Sequence, residues 1–93
     1  MVFGGVMTDN KIQMYGADWC GDCIRSKRQL TELGVEFDYL DVEHDDSLRD
    51  AAIEIAGVKS IPVVVFPDGT HMVEPSNPAM LDKLRELELL PTE

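Results

Sequence analysis

Between Lys11 and Val42 the apolar residues change period twice, and no other feature of the chain restricts its fold as much. Ile12, Met14 and Gly16 alternate with Gln13 and Tyr15, the two-residue period of a short strand over 11–16. After Cys20 the spacing becomes three and four. Cys23, Lys27 (through its stem), Leu30 and Leu33 or Gly34 share a face, which predicts a helix over 21–33. Gly34 can adopt the left-handed conformation that stops it. Val35, Phe37 and Tyr39 then alternate as a half-buried strand at a sheet edge. Strand, helix and strand over about thirty residues make a parallel βαβ unit. Ligand chemistry belongs at the carboxyl ends of such strands.

The only two cysteines, Cys20 and Cys23, stand at that end, within Trp19-Cys20-Gly21-Asp22-Cys23. Two thiols spaced i, i+3 can close into a small ring and reopen. Where thiols are kept reduced, such a pair is catalytic or metal-binding rather than a structural staple. A zinc site would require about four protein ligands. The candidates beyond the cysteines are His44 and His71, which lack coordinating spacing, so no metal is expected. His44 reads as a loop residue among acidic neighbours and His71 as an exposed strand residue. The attacking species is a thiolate, which the unpaired N–H groups of a helix N-terminus stabilise. Cys20 sits at that end and Cys23 one turn in, while the carboxylates of Asp18 and Asp22 oppose the thiolate.

Further along, Asp45 and Asp46 suit a helix cap, followed by Leu48, Ala51, Ala52, Ile55 and Ala56 at helical spacing, with Gly57 as the stop. The apolar run 61–66 reads as a central strand, with Pro62 as its first residue because it lacks an N–H. Pro67-Asp68-Gly69 signals a hairpin, and 70–74 the returning antiparallel strand. Asn77 before Pro78 reads as the cap of a last helix, with Met80, Leu81, Leu84 and Leu87 on its buried face. The order is β-α-β-α-β-β-α. Residues 1–10 show no sustained period and are expected to be a loose arm, with residues 11–90 forming a single domain.

Charge and hydropathy remove several function classes. A formal charge of -10 gives the chain nothing with which to displace counterions from a phosphate backbone, so no nucleic-acid partner is expected. No apolar run approaches the roughly 20 residues that span a bilayer, and the first ten residues lack a signal-peptide pattern. No membrane association is expected, and the expected compartment is the cytoplasm. Arg25, Lys27 and Arg28 fall within four positions although the whole chain has eight Lys and Arg, so Arg25 and Lys27 are candidate substrate contacts on an otherwise acidic protein.

The element order and the Trp19-to-Lys27 segment resemble the glutaredoxin branch of the thioredoxin fold over roughly 11–90. Within that branch, Trp19-Cys20-Gly21-Asp22-Cys23-Ile24-Arg25-Ser26-Lys27 is most similar to the actinobacterial mycoredoxins, as are Asp41-Val42-Glu43-His44, Asp68-Gly69-Thr70 and Pro75-Ser76. The resemblance implies a thioredoxin-like α/β fold with a four-stranded mixed sheet flanked by three helices. It implies that Cys20 is the exposed nucleophile, that Cys23 is the resolving thiol, and that Ile61-Pro62 is a cis peptide whose backbone pairs with a thiol substrate. Ser60 and Ile61 would line the groove. Trp19 before the nucleophile either shapes the groove or packs beside the first strand, and Asp22, a departure from most relatives, would select basic substrates or weaken binding of an anionic thiol. Glutaredoxins grip the carboxylates of glutathione with a Gly-Gly-x-Asp segment. The corresponding stretch here is Glu74-Pro75-Ser76-Asn77.

That departure points to mycothiol rather than glutathione as the co-substrate thiol, or to a protein substrate. The implied activity is thiol-disulfide exchange by a monomer on disulfide-containing proteins, with no tightly bound cofactor. Two other readings share the fold. One is a dithiol electron donor recycled by thioredoxin reductase, for example to ribonucleotide reductase. The other is a binding module, either holding an iron-sulfur cluster between two subunits or serving only as a docking surface.

Overall fold

The computed structural model describes residues 11–91. The loose arm expected at 1–10 lies outside the described residues. The elements run β1 (Ile12–Gly16), α1 (Gly21–Glu32), β2 (Phe37–Asp41), α2 (Asp46–Ala56), β3 (Val63–Val65), β4 (His71–Val73) and α3 (Asn77–Glu86). The strands form a single mixed sheet in the order β2-β1-β3-β4. β1 pairs with β2 in parallel, Met14 opposite Tyr39, and with β3 antiparallel, Met14 opposite Val64. β3 and β4 complete the antiparallel hairpin. β2 is at the edge, as its half-buried alternation requires.

Two apolar layers hold the sheet between its helices. On one face Ile12, Met14, Val64 and Phe66 pack with Leu30 of α1 and with Met80 and Leu84 of α3. On the other, Tyr15 and Val63 pack with Ala52 of α2. The two-residue period of β1 holds, with Ile12 and Met14 facing one layer and Tyr15 the other. Tyr15 is buried as well as Met14, because an interior strand covered on both faces has no solvent side.

Several boundaries also differ from expectation. The face of α1 that meets the sheet is Cys23, Ser26 and Leu30, not Lys27. A small serine is accommodated there, whereas the Lys27 ammonium swings out over the Tyr39 ring, 4.2 Å from its centroid. β3 spans residues 63–65, with Ile61 and Pro62 before it and Phe66 after it. Pro62 has no N–H for the ladder, but its carbonyl accepts the Glu74 N–H at 2.9 Å. The cap of α3 is Ser76 and not Asn77: Ser76 Oγ accepts the Ala79 N–H at 3.2 Å, which places Pro78 second in the helix.

The remaining helix ends follow the sequence signals. Asp45 caps α2 through its carboxylate, which accepts from the Ser47 and Leu48 N–H groups. Gly57 closes α2 with φ 76°. Gly34 follows α1 with φ 75°, and the next N–H, from Val35, returns to the Leu30 carbonyl at 3.0 Å.

Candidate functional site

The parallel pairing of β1 with β2 ends at Gly16 opposite Asp41, and the chain turns from there into α1. Cys20 is the N-cap of that helix, with extended backbone at φ -91° and ψ 116°. Its side chain therefore points across the first turn. The Cys23 N–H donates to Cys20 Sγ at 3.3 Å, the contact by which this side chain caps the helix. On the opposite side Cys20 Sγ lies 3.8 Å from the Ile61 carbonyl, toward which the thiol donates. Ile61-Pro62 is a cis peptide, and Pro62 is buried. Among the described residues the Ile61 N–H meets no acceptor, which leaves a backbone donor on a residue that lines the groove.

Both cysteines are free thiols with unequal access. Cys20 is 9% exposed and Cys23 is fully buried. The expectation of an exposed Cys20 is thus corrected: the residue is nearly buried, with Ile61 packed against it. Burial pushes the Cys23 thiol up to about 12; the hydrogen bond with Cys20 adds to this, and the Ala17 backbone opposes it. Burial likewise raises Tyr39 to about 12, with the Asp18 carboxylate and Cys23 contributing. Gly16 creates the space that Cys23 and Tyr39 share. A Cβ at Gly16 would lie 3.0 Å from Cys23 Sγ and 3.2 Å from Tyr39 Cε1.

An open groove of about 450 Å³ surrounds Cys20, lined by Trp19, Gly21, Asp22, Lys59, Ser60, Ile61 and Glu74. Trp19, Asp22, Ser60, Ile61 and Cys20 are thus brought together, with Pro62 buried directly behind Ile61. Trp19 is 68% exposed, and its indole N–H donates to Glu43 Oε1. It forms a wall between this groove and a second hollow of about 320 Å³ against α2.

The other two candidates lie outside the groove. Arg25 pairs with Asp22 at 3.0 Å and donates to the Pro75 carbonyl at 2.8 Å, so it joins α1 to the loop before α3. Lys27 is engaged with Tyr39. Sequence reasoning missed Lys59 as a groove residue, although a cation three positions before the groove proline was a usable signal. It also missed Gly16, whose role depends on what α1 and β2 bring beside it. His44 stands away from the groove, paired with Asp41 at 2.8 Å. Among the described residues no group of three or more His, Cys, Asp or Glu side chains could hold a metal ion, and no helix is long and apolar enough to cross a membrane.

The glutaredoxin family model matches residues 12–72. A glutaredoxin-named protein of Mycobacterium tuberculosis is 31% identical over 74 residues, covering 78% of this chain and 88% of its own. Mycoredoxin 1 of Corynebacterium glutamicum is 28% identical over 79 residues, covering 84% and 98%. The crystal structure of a glutaredoxin from Archaeoglobus fulgidus superposes with a TM-score of 0.65 at 27% identity, covering 85% of this chain and 86% of that one. The chain belongs to the glutaredoxin family, and it is a thiol-disulfide oxidoreductase of the thioredoxin-like fold.

Proposed function

We propose that this member of the glutaredoxin family reduces mixed disulfides between proteins and a low-molecular-weight thiol, with Cys20 as nucleophile, Cys23 as resolving thiol and mycothiol favoured over glutathione. The observation that carries the reading is the placement of Cys20 Sγ, 3.3 Å from the Cys23 N–H and 3.8 Å from the Ile61 carbonyl. Here the sulfur of Cys20 stands at a helix N-terminus, in a groove whose Ile61 N–H meets no acceptor among the described residues.

The Cys20 thiolate attacks the sulfur of the small thiol. The S–S bond breaks, and its electron pair leaves on the client cysteine, which takes up a proton. Cys20 now carries the small thiol. Cys23 then attacks Cys20 Sγ, the small thiol leaves with the Cys23 proton, and the Cys20–Cys23 disulfide remains. Two further small thiols, or a reductase, restore the dithiol. Cys23 is held neutral until the first step is over, since burial keeps its proton on.

The preference for mycothiol rests on the loop before α3. Glutathione is a dicarboxylate, and an anion seeks free N–H groups at a helix N-terminus. Here Pro75 and Pro78 have none, the Ala79 N–H is taken by Ser76 Oγ, and the Glu74 carboxylate lines the groove. Mycothiol offers sugar hydroxyls in place of carboxylates. Mycoredoxin 1 is also among the relatives. Residues 11–90 form the catalytic domain in this reading, acting as a monomer in the cytoplasm, where free thiols persist.

The test is reduction of one protein carrying mycothiol and the same protein carrying glutathione, by wild type, Cys20→Ser and Cys23→Ser. Faster reduction of the mycothiolated form, lost in Cys20→Ser, is expected. Activity surviving in Cys20→Ser overturns the mechanism, and faster reduction of the glutathionylated form overturns the choice of thiol. Turnover sustained by thioredoxin reductase alone would replace this reading with that of a dithiol electron donor.

A further inference from the structure

The charges around Cys20 are distributed unevenly along the groove. Asp22 is neutralised by Arg25 at 3.0 Å. That leaves Lys59 and Glu74, both exposed and neither in an ion pair among the described residues. They come from different parts of the sheet. Lys59 lies on the connector from α2 to β3 and also lines the hollow against α2 with Trp19. Glu74 follows β4, is tied to Pro62 by its N–H, and takes no part in that hollow. Lys59 therefore stands where the groove meets that hollow and Glu74 stands away from it, so a cation and an anion from different parts of the sheet both face the groove that holds Cys20.

The Glu74 backbone holds its end firmly. Its φ of 51° lies in the left-handed region, and its N–H is committed to the Pro62 carbonyl at 2.9 Å. The carboxylate is thus carried on a fixed stem rather than on a free loop. Lys59 lies two positions before Ile61, whose unpaired N–H would orient an extended segment bonded to Cys20.

We propose that this groove reads opposite charges on the two sides of a client cysteine, a carboxylate toward Lys59 and a cationic side chain toward Glu74. The proposal rests on Cys20 as the attacking sulfur and extends that reading from the small thiol to the protein segment that can take its place on Cys20. Exposed pairs of this kind contribute little to affinity and more to orientation and partner choice. Exchanging the flanking charges turns two attractions into two repulsions.

Two blocked pentapeptides test the idea, one with aspartate before the cysteine and lysine after it, the other with the charges exchanged. Each has zero net charge, so long-range steering is the same for both. Each cysteine carries a 2-thiopyridyl disulfide. Cys20 attacks the peptide sulfur, the S–S bond breaks, and pyridine-2-thione leaves with the electron pair, since the thiol of lower pKa departs faster. Its absorbance gives the rate, and the mass of the Cys23→Ser variant gives the Cys20–peptide adduct.

The expected result is a rate ratio of about fivefold between the peptides at low salt, falling toward unity near 1 M salt. K59E/E74K should invert the ratio, and K59Q/E74Q should bring it to about one. Equal rates in wild type, or a ratio unchanged in K59E/E74K, overturn the proposal while leaving Cys20 as the nucleophile. No release from either peptide overturns the underlying reading of Cys20 as well.

Discussion

The backbone N–H of Cys23 lies 3.3 Å from Cys20 Sγ, so one residue of the pair supplies the donor that holds the other's sulfur while burying its own. The i, i+3 spacing is what lets both happen. Cys20 is the extended N-cap, and Cys23 is the residue whose amide reaches back to it. The proposed nucleophile thus lines the groove, and the proposed resolving thiol is fully buried behind it.

Cys23 should be unreactive as a free thiol at neutral pH. With its pKa pushed up to about 12, only about one part in 10⁵ is thiolate at pH 7. Iodoacetamide should therefore modify wild type once, at Cys20, as read by peptide mass mapping. In Cys20→Ser the hydrogen bond is weakened but the burial persists. Thiolate absorbance from Cys23 should stay absent up to about pH 10, and its appearance near pH 8 would contradict the burial argument.

The bridge from Asp22 through Arg25 to the Pro75 carbonyl should be measurable as a coupling. Arg25→Ala loses an exposed ion pair and a charged hydrogen bond to backbone, and should cost about 1–2 kcal/mol in urea unfolding. Asp22→Asn alone should cost less, because Arg25 keeps the Pro75 contact. A double-mutant cycle should return about 0.5 kcal/mol for the pair. A value of zero would mean that Arg25 acts through Pro75 alone.

Gly16→Ala should damage the site from below. The added Cβ would meet Cys23 Sγ at 3.0 Å and Tyr39 Cε1 at 3.2 Å in a closed layer, an overpacking that costs about 1–3 kcal/mol. Because Cys23 is what moves, formation of the Cys20–Cys23 disulfide should slow more than the first attack by Cys20. Stopped-flow traces that separate the two steps check this, and equal slowing of both would show a general loosening instead.

His44 and Asp41 set a small pH dependence outside the groove. The Asp41 carboxylate holds His44 above its ordinary 6.5, and the pairing with His44 holds Asp41 below 3.8. For His44 the stabilisation is complete below pH 6.5 and fades as pH rises through the higher folded value. For Asp41 it is present above pH 3.8 and fades as pH falls through the lower one. An NMR titration of His44 should have its midpoint above 6.5 in wild type and lower in Asp41→Asn. An unchanged midpoint would remove Asp41 as the cause.

How far the sequence could be read depended on whether a feature was local. The switch of period at Cys20, the glycine stops at Gly34 and Gly57 and the Asp45 cap are each decided within one helical turn, and all appear where the residues placed them. So does the spacing that joins Cys20 to the Cys23 amide. Asn77 was misread as a cap because Ser76 beside it is an equally good one, and the choice depends on which side chain the chain entering α3 turns inward.

The sequence by itself therefore determined the order of elements and the place of the redox pair, since both follow from periodicity and from backbone groups a few residues apart. Only the tertiary structure decided what surrounds that pair. Arg25 ties α1 to the loop before α3 because it reaches the Pro75 carbonyl, fifty positions away. Lys59 and Glu74 share the Cys20 groove because β3 and β4 pair antiparallel and the Glu74 N–H extends that pairing to the Pro62 carbonyl. Cys23 is buried because β1, β2 and α1 close over it. Groove polarity and desolvation are properties of distances between remote residues, and the pairing of strands fixes those distances.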